Sequence, residues 1–253
     1  MRRITVILCF ILMLSVFDGY SDDEREIELT AQAIVARVDR VLDYPAGRIE
    51  GNIRHIFPDG ESYTLRVEAS VDSEDSLFLF GSRNRGDQIK VLYKLDGEDI
   101  WVYNILELKL FNKTGIDRFD PILATNFFYI DLSNADLQAN YTAELEGDAI
   151  IKGEEVYRLS LSPIFRGGRY GRLTLYVEKE NYIPVRIDFH DTDGVIFKFM
   201  TVSNIMENNG RLFPARYDML DIRKGTISIL TFNSIDDKVR FNPEIFRSSR
   251  LGE

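Results

Sequence analysis

The sequence has very little of the chemistry on which most enzymes and metalloproteins depend. It contains one cysteine and two histidines among 253 residues. One cysteine cannot form an internal disulfide, and together with two histidines it supplies too few ligands for a typical zinc site. Acidic stretches are present, but they lack the spacing of a calcium-binding loop. Neither a metal nor another cofactor is expected.

Basic charge and recognisable catalytic motifs are also scarce. Lys and Arg number 31 against 41 Asp and Glu, which gives a net charge of −10. Nucleic-acid binding needs clustered basic residues, so it is excluded. The chain has no Gly-x-Ser-x-Gly elbow, no phosphate-binding glycine-rich loop and no His-Glu-x-x-His helix. The 45% apolar content is that of a folded protein, and a non-enzymatic one is expected.

The first 21 residues resemble an export signal. Arg2 and Arg3 precede an apolar run, residues 4–17, and the small residues Gly19 and Ser21 stand before a plausible cleavage point. The run is short for a membrane span, which takes about 20 residues. We therefore expect a signal peptide at 1–21, whose removal also removes Cys9. An uncleaved inner-membrane anchor is the alternative.

The next segment, residues 22–43, has the pattern of an amphipathic helix. Apolar residues recur at spacings of three and four, and acidic residues crowd the start, where they favour the helix dipole. Tyr44-Pro45-Ala46-Gly47 should end the helix.

Beyond residue 47 the apolar period changes to two, which predicts half-buried strands. The clearest alternating runs are 63–71, 88–91, 157–161, 173–177 and 185–189. Turn signals such as Asp96-Gly97 and Asp193-Gly194 separate the runs. We expect about ten or eleven strands in one antiparallel, strongly curved sheet. So many strands with so little helix must curl into an incomplete β barrel, since a flat sheet would leave an apolar face wet.

One stretch, residues 116–137, interrupts the strand pattern and is predicted to form one or two short helices. With the N-terminal helix, this insertion should act as a lid over the mouth of the barrel. We find no linker or repeat, so residues 22–253 are expected to form a single domain. The polar tail, residues 242–253, should be loosely held.

The two histidines attract attention because they are so few. His190 stands beside Asp191 and Asp193, but adjacent strand residues point to opposite faces, so a polar strand end is favoured over an acid–base or metal cluster. His55 precedes a Pro-Asp-Gly turn and is expected to be a surface residue.

Apolar and aromatic sheet interior is over-supplied, with 17 Phe and 12 Tyr. A barrel of more than eight strands is usually too wide for its own side chains to fill, which predicts an apolar cavity suited to acyl chains. Most of these residues could equally be ordinary core. The predicted wall residues are Leu65, Val67, Val91, Trp101, Tyr103, Leu175, Val185, Ile187 and Phe189, and the predicted lid residues are Phe127 and Phe128.

Three segments resemble the LolA-like outer-membrane lipoprotein-sorting proteins. They are Asp99-Ile-Trp-Val-Tyr103, Phe127-Phe-Tyr-Ile-Asp-Leu132 and Asn181-Tyr-Ile-Pro-Val-Arg186. The resemblance covers most of the mature chain and implies a lidded half-barrel that carries lipoprotein acyl chains or phospholipid through the periplasm. Implied partners are an inner-membrane export complex and an outer-membrane acceptor, with transient membrane contact. Asn104 stands where many relatives have proline. The resemblance also implies an arginine inside the cavity, for which Arg48 and Arg54 are candidates.

Three functions therefore remain open. The first is a periplasmic carrier of lipid or lipoprotein acyl chains. The second is a periplasmic or surface interaction module with a solid barrel and no lipid. The third, and least favoured, is an enzyme acting on lipids or envelope polymers.

Overall fold

A computed structural model describes residues 29–82, 86–133, 136–165 and 167–253. The predicted signal peptide and residues 22–28 lie outside these ranges. The helices are α1 (Ala31–Leu42) and the single-turn α2 (Leu137–Asn140). The strands are β1 (Gly47–Ile56), β2 (Ser62–Asp72), β3 (Asp75–Gly81), β4 (Gln88–Lys94), β5 (Asp99–Asn104), β6 (Lys109–Lys113), β7 (Tyr141–Ile151), β8 (Glu154–Pro163), β9 (Arg172–Glu178), β10 (Pro184–His190), β11 (Ile196–Asn208), β12 (Arg211–Asp221) and β13 (Thr226–Asp236).

Helix α1 begins later than the sequence pattern indicated. The hydroxyl of Thr30 accepts a hydrogen bond from the Ala33 amide at 3.2 Å, and Thr30 itself is extended, so it is the N-cap. The buried face of the helix consists of Ile34, Val35 and Val38. The helix ends beside Asp43, close to the predicted end.

The strands form one antiparallel sheet in the order β6-β5-β4-β3-β2-β1-β13-β12-β11-β10-β9-β8-β7. Strands β6 and β7 are its two edges and do not pair with each other, so the barrel is incomplete. This confirms the predicted fold class, a mainly β, open and curved half-barrel.

The number of strands was underestimated, since the described residues form thirteen. The two edge strands explain part of the difference, because neither has a regularly buried face. In β6, Leu110 and Phe111 are both exposed although they are neighbours, so no period of two marks the strand.

Irregular pairing helps the sheet to curl. Register shifts occur between β1 and β13, β7 and β8, β9 and β10, and β10 and β11, and such bulges increase local twist. At the first of them, a side chain on Gly51 would place its Cβ 2.3 Å from the carbonyl oxygen of Thr231. Glycine is therefore required at this close approach of two strands.

The connection between the two edge strands begins with residues 114–133, which pack on the concave face and which we call the cover segment. It contains three short 3₁₀ helices, Gly115–Phe119, Ile122–Ala124 and Tyr129–Leu132. Between them, Pro121 and Phe128 form an isolated antiparallel bridge. The predicted insertion is therefore largely irregular, and its helical parts are single turns.

The C-terminal tail packs on the convex face, contrary to the expectation that it is loosely held. Phe246 and Leu251 are buried against Leu92 and the half-buried Trp101. The Lys90 ammonium donates to the Leu251 carbonyl at 2.8 Å. Two apolar anchors and this hydrogen bond compensate for the polar composition of the tail.

Candidate functional site: the covered concave face

The concave face of the sheet is continuous and apolar. Strand alternation places every second side chain on this face, as expected for a sheet with one buried side. The predicted wall residues found in its buried cluster are Leu65, Val67, Val91, Leu175, Ile187 and Phe189. Phe127 and Phe128 of the cover segment belong to the same cluster.

The prediction that Trp101 and Tyr103 line the concave face is wrong. Both side chains lie on the convex face, where they pack with Leu92 and the C-terminal tail. The Trp101 indole N–H donates to the Asp99 carboxylate at 2.7 Å. Residues 100–103 are apolar on both phases because both faces of β5 are covered, so their period cannot identify the concave side.

The prediction that Val185 lines the concave face is also wrong. A register shift between Pro184 and Arg186 leaves Val185 without a partner on β9. Its side chain is half-buried and is not part of the concave cluster. The bulge therefore removes from the wall a residue that simple alternation from Ile187 would place there.

The predicted apolar cavity is filled by side chains of helix α1 and the cover segment. Ile34, Val35 and Val38 of α1 pack into the same buried cluster as the sheet wall. Phe119 and Ile122 of the cover segment do so as well. Thirteen strands leave more width than their own side chains can fill, and the helix and the cover segment occupy the difference.

Two clefts open at opposite ends of the sheet. One, of about 420 Å³, lies between the start of β1 and the turn from β11 to β12. The other, of about 530 Å³, lies where the cover segment meets the start of β11. Phe128 is the one predicted lining residue that reaches either cleft.

A buried ion pair joins the cover segment to β11. The Lys198 ammonium lies 2.8 Å from the Asp131 carboxylate, and their side chains are 1% and 4% exposed. Asp131 also accepts from the Tyr170 hydroxyl at 2.5 Å and from the Phe128 amide at 2.8 Å. Burial lowers the pKa of Lys198, and the carboxylate of Asp131 opposes this effect.

The same ammonium lies over aromatic rings. Lys198 Nζ is 3.7 Å from the ring centroid of Phe128, 4.8 Å from that of Phe189 and 4.9 Å from that of Tyr170. Such cation–π contacts are strongest where water is excluded. Sequence reasoning missed Lys198, although a signal existed. It occupies the phase of β11 that Met200 and Val202 make apolar.

Asn126 fixes the tip of the cover segment to the sheet. Its side-chain amide donates to the carbonyls of Met219 and Thr226, and its side-chain oxygen accepts from the Thr226 hydroxyl. Its backbone amide donates to Ser228 Oγ at 2.8 Å. Its backbone carbonyl accepts a fifth, longer bond of 3.4 Å from the Lys198 ammonium, so this buried residue connects the segment to β11, β12 and β13.

Both histidines are buried, so the expectation that His55 is a surface residue is wrong, whereas His190 does end strand β10 as predicted. His55 Nδ1 lies 2.8 Å from Ser228 Oγ, on the buried phase of β1. His190 Nε2 lies 3.0 Å from Thr174 Oγ1. Among the described residues, no cluster of three or more His, Cys, Asp or Glu side chains could hold a metal ion.

The two candidates for an arginine inside the cavity do not lie in the interior. Arg48 and Arg54 occupy exposed positions of β1, on the phase opposite to Ile49 and Ile53. Among the residues that the structure describes, Lys198 is a cation that does lie inside the barrel. The resemblance-based expectation of an interior arginine is therefore wrong for both candidates.

Helix α1 is fastened to the far edge of the sheet through Asp39. Its carboxylate accepts from the backbone amides of Leu137 and Gln138, each at 3.0 Å. Burial raises the pKa of Asp39 to about 7, although these two hydrogen bonds act to lower it. This carboxyl group therefore titrates near neutral pH.

Together these features define an open antiparallel half-barrel whose concave face is closed by a helix and a cover segment. A family model described as "Uncharacterized protein" matches residues 72–253, and the chain belongs to that family. No curated protein matches the chain. In the described part of the chain, no helix has both the length and the apolar character needed to span a membrane.

Solved structures with the same fold include LolA-superfamily proteins. A Vibrio parahaemolyticus domain described as an outer membrane lipoprotein-sorting protein domain has a TM-score of 0.77 at 16% identity, covering 88% of this chain and 98% of its own. A Desulfovibrio piger DUF1329 family protein has a TM-score of 0.74 at 19% identity, covering 87% and 97%. A Nitrosomonas europaea LolA superfamily protein has a TM-score of 0.71 at 23% identity, covering 88% and 99%. The predicted LolA-like resemblance is confirmed at the level of the fold.

Proposed function

We propose that this protein is a periplasmic carrier of acyl chains from lipoproteins or phospholipids. The observation that carries the proposal is the nature of the cover. The apolar concave face is closed by helix α1 and the irregular cover segment, which can move away without breaking a pairing between strands of the sheet. Acyl chains would then replace the covering side chains on the same wall. The proposed role is binding and transfer, without catalysis.

The energetics suit reversible binding. Each buried methylene contributes about 0.8 kcal/mol, but cargo must displace side chains that already bury the wall, so only the difference appears as affinity. The cover segment also holds Leu123 and Ala124 at φ of 44° and 65°. Left-handed backbone costs roughly 1–2 kcal/mol per non-glycine residue, and opening would recover this free energy where it lets the turn relax.

The cellular setting forms part of the same proposal. The N-terminal sequence pattern supports export, and lipoprotein-sorting neighbours of the same fold support a periplasmic site of action. Suitable partners are an inner-membrane complex that loads the carrier and an outer-membrane acceptor that unloads it. Contact with either membrane would be transient.

Lipid analysis and hydrogen exchange together test the carrier proposal. Protein purified from cells should release acyl-containing lipids on organic extraction. Amides of the cover segment should exchange faster than those of β1, β2 and β13, and lipid should change their rate selectively. Absence of extractable lipid, together with exchange in the cover segment as slow as in the central strands under both conditions, would count against a carrier.

The filled interior favours a second candidate, an interaction module that binds a partner protein and no lipid. In that case the apolar cluster would be a permanent core. The same exchange experiment separates the two functions, because a permanent core has no reason to open in the presence of lipid.

A further inference from the structure

One hydroxyl on the concave face is buried without a hydrogen-bond partner. Among the described residues, three buried side-chain polar atoms lack a partner: Tyr93 Oη, Arg118 Nε and Arg172 Nε. Arg118 donates through another guanidinium nitrogen to the Gly97 carbonyl at 2.7 Å. Another guanidinium nitrogen of Arg172 lies 3.2 Å from His190 Nδ1. Tyr93 has no second polar side-chain atom, so its hydroxyl is wholly unsatisfied.

Tyr93 is fully buried, and the side chains beside it on its own strand and on β3 are apolar or aromatic. Tyr93 is 1% exposed and lies on the buried phase of β4 with Ile89 and Val91. Its ring packs edge-on against Phe78, with centroids 5.6 Å apart. An unsatisfied buried hydroxyl destabilises a protein, so this group calls for a role other than stability, and a bound molecule can supply the missing hydrogen-bond partner.

The state of the hydroxyl restricts what it can bind. Burial raises the pKa of Tyr93 well above its usual value, and the nearby Tyr44 and Tyr129 act in the same direction. Tyr93 is therefore a neutral O–H donor at any physiological pH. A neutral acceptor such as an ester or amide carbonyl can bind beside this hydroxyl, whereas a carboxylate would lose its hydration and would also be repelled by the nearby carboxylate of Asp131.

We propose that the Tyr93 hydroxyl donates a hydrogen bond to the carbonyl of an ester- or amide-linked acyl chain bound against the concave face. This inference rests on the proposed carrier function. It assigns the cargo to a chemical class, neutral acyl esters and amides, and distinguishes it from free hydrocarbons. Tyr93 is then a specificity-determining residue, since its neighbours on the buried phase of β4, Ile89 and Val91, offer only apolar contact.

A pair of linear probes tests the inference on the purified protein. Methyl laurate carries an ester carbonyl, and n-pentadecane has the same number of heavy atoms without one. Displacement of bound Nile red measures the affinity of each. In Tyr93→Phe, we expect methyl laurate to bind about threefold to tenfold more weakly and n-pentadecane to bind as before. The matched control is Tyr103→Phe, which removes a tyrosine hydroxyl from the convex face and should leave the binding of both probes unchanged.

Stability provides a second readout. Because no internal hydrogen bond is lost, the unfolding midpoint of Tyr93→Phe should equal or exceed that of the wild type. A lower midpoint would reveal an internal partner and overturn the inference. Equal binding of the ester by Tyr93→Phe and wild type would overturn it while leaving the carrier function standing. Failure of the wild type to bind either probe would instead refute the carrier function, and the inference with it.

Discussion

Lys198 and Asp131 form an ion pair of 2.8 Å in which both side chains are almost completely buried. Lys198 belongs to a central strand of one half of the sheet, and Asp131 belongs to the cover segment. The pair therefore links the wall of the half-barrel to its cover. The Tyr170 hydroxyl and the Phe128 amide also donate to the Asp131 carboxylate.

Breaking this pair from one side should be costly. Lys198→Met leaves a buried carboxylate without its cation, so the free energy of unfolding should fall by about 3–5 kcal/mol. Urea denaturation provides the measurement. The double variant Lys198→Met/Asp131→Asn should lose less than the sum of the two single variants, since it leaves no buried charge.

Lys224 provides the control for that experiment. It pairs with Asp221 at 3.2 Å, but its side chain is 59% exposed. Lys224→Met should cost less than about 1 kcal/mol. Equal losses in Lys198→Met and Lys224→Met would show that burial adds nothing to the first pair.

Loosening the tip of the cover segment should make the concave face accessible. Asn126→Ala removes three side-chain hydrogen bonds, two to backbone carbonyls and one from the Thr226 hydroxyl. We expect faster amide exchange across residues 119–131 and increased Nile red fluorescence. Asn209→Ala, which removes a hydrogen bond to Asp237 at an exposed turn, is the control and should change neither signal. Unchanged exchange in Asn126→Ala would mean that apolar packing alone holds the segment closed.

Stability should depend on pH through Asp39. The pKa of Asp39 is about 7 in the folded protein against its ordinary value of 3.8, so between these values the folded state keeps a proton that the unfolded state has released. Stability from this group is therefore lost as pH rises from about 4 to 7, with a slope of at most about 1.4 kcal/mol per pH unit. Chemical denaturation at several pH values measures the slope.

Substitution of Asp39 identifies the source of that slope. Asp39→Asn keeps a side-chain acceptor near α2 but cannot titrate, so the slope between pH 4 and 7 should become shallower. Asp59→Asn, at the exposed turn after β1, should leave the slope as in the wild type. A slope unaffected by Asp39→Asn would assign the pH dependence to other groups.

The fluorescence of Trp101 should show whether the C-terminal tail is packed on the convex face. Phe246→Ala removes the aromatic anchor that packs with Leu92 on the convex face. We expect a loss of about 2–4 kcal/mol in unfolding free energy and a red-shifted Trp101 emission, because the indole becomes more hydrated. Arg247→Ala, beside it, should alter neither. An unshifted emission would mean that the tail does not shield the indole. Trp101 fluorescence therefore monitors the tail and not the concave face.

The sequence allowed the fold to be predicted because strand alternation is a local property. The run 63–71 placed Leu65 and Val67 on a buried face, and the structure has them there. The segments that resemble LolA-like proteins indicated the same architecture. Alternation failed where local geometry departs from a regular strand, as at the bulge beside Val185.

Other features depended on contacts between distant parts of the chain. Trp101 lies on the convex face because a tail more than a hundred residues away covers that face. Lys198 is tolerated in an apolar position because Asp131 reaches it from the cover segment. Neither partner can be recognised from the spacing of residues along the chain.

The amino-acid sequence by itself determined the period of the strands, the apolar excess and hence the curved, half-buried sheet, since each follows from neighbouring side chains. Tertiary structure alone decided which face is concave, what fills it and which polar groups are buried in pairs. Those outcomes depend on how a helix, a cover segment and a tail pack against strands distant from them in sequence.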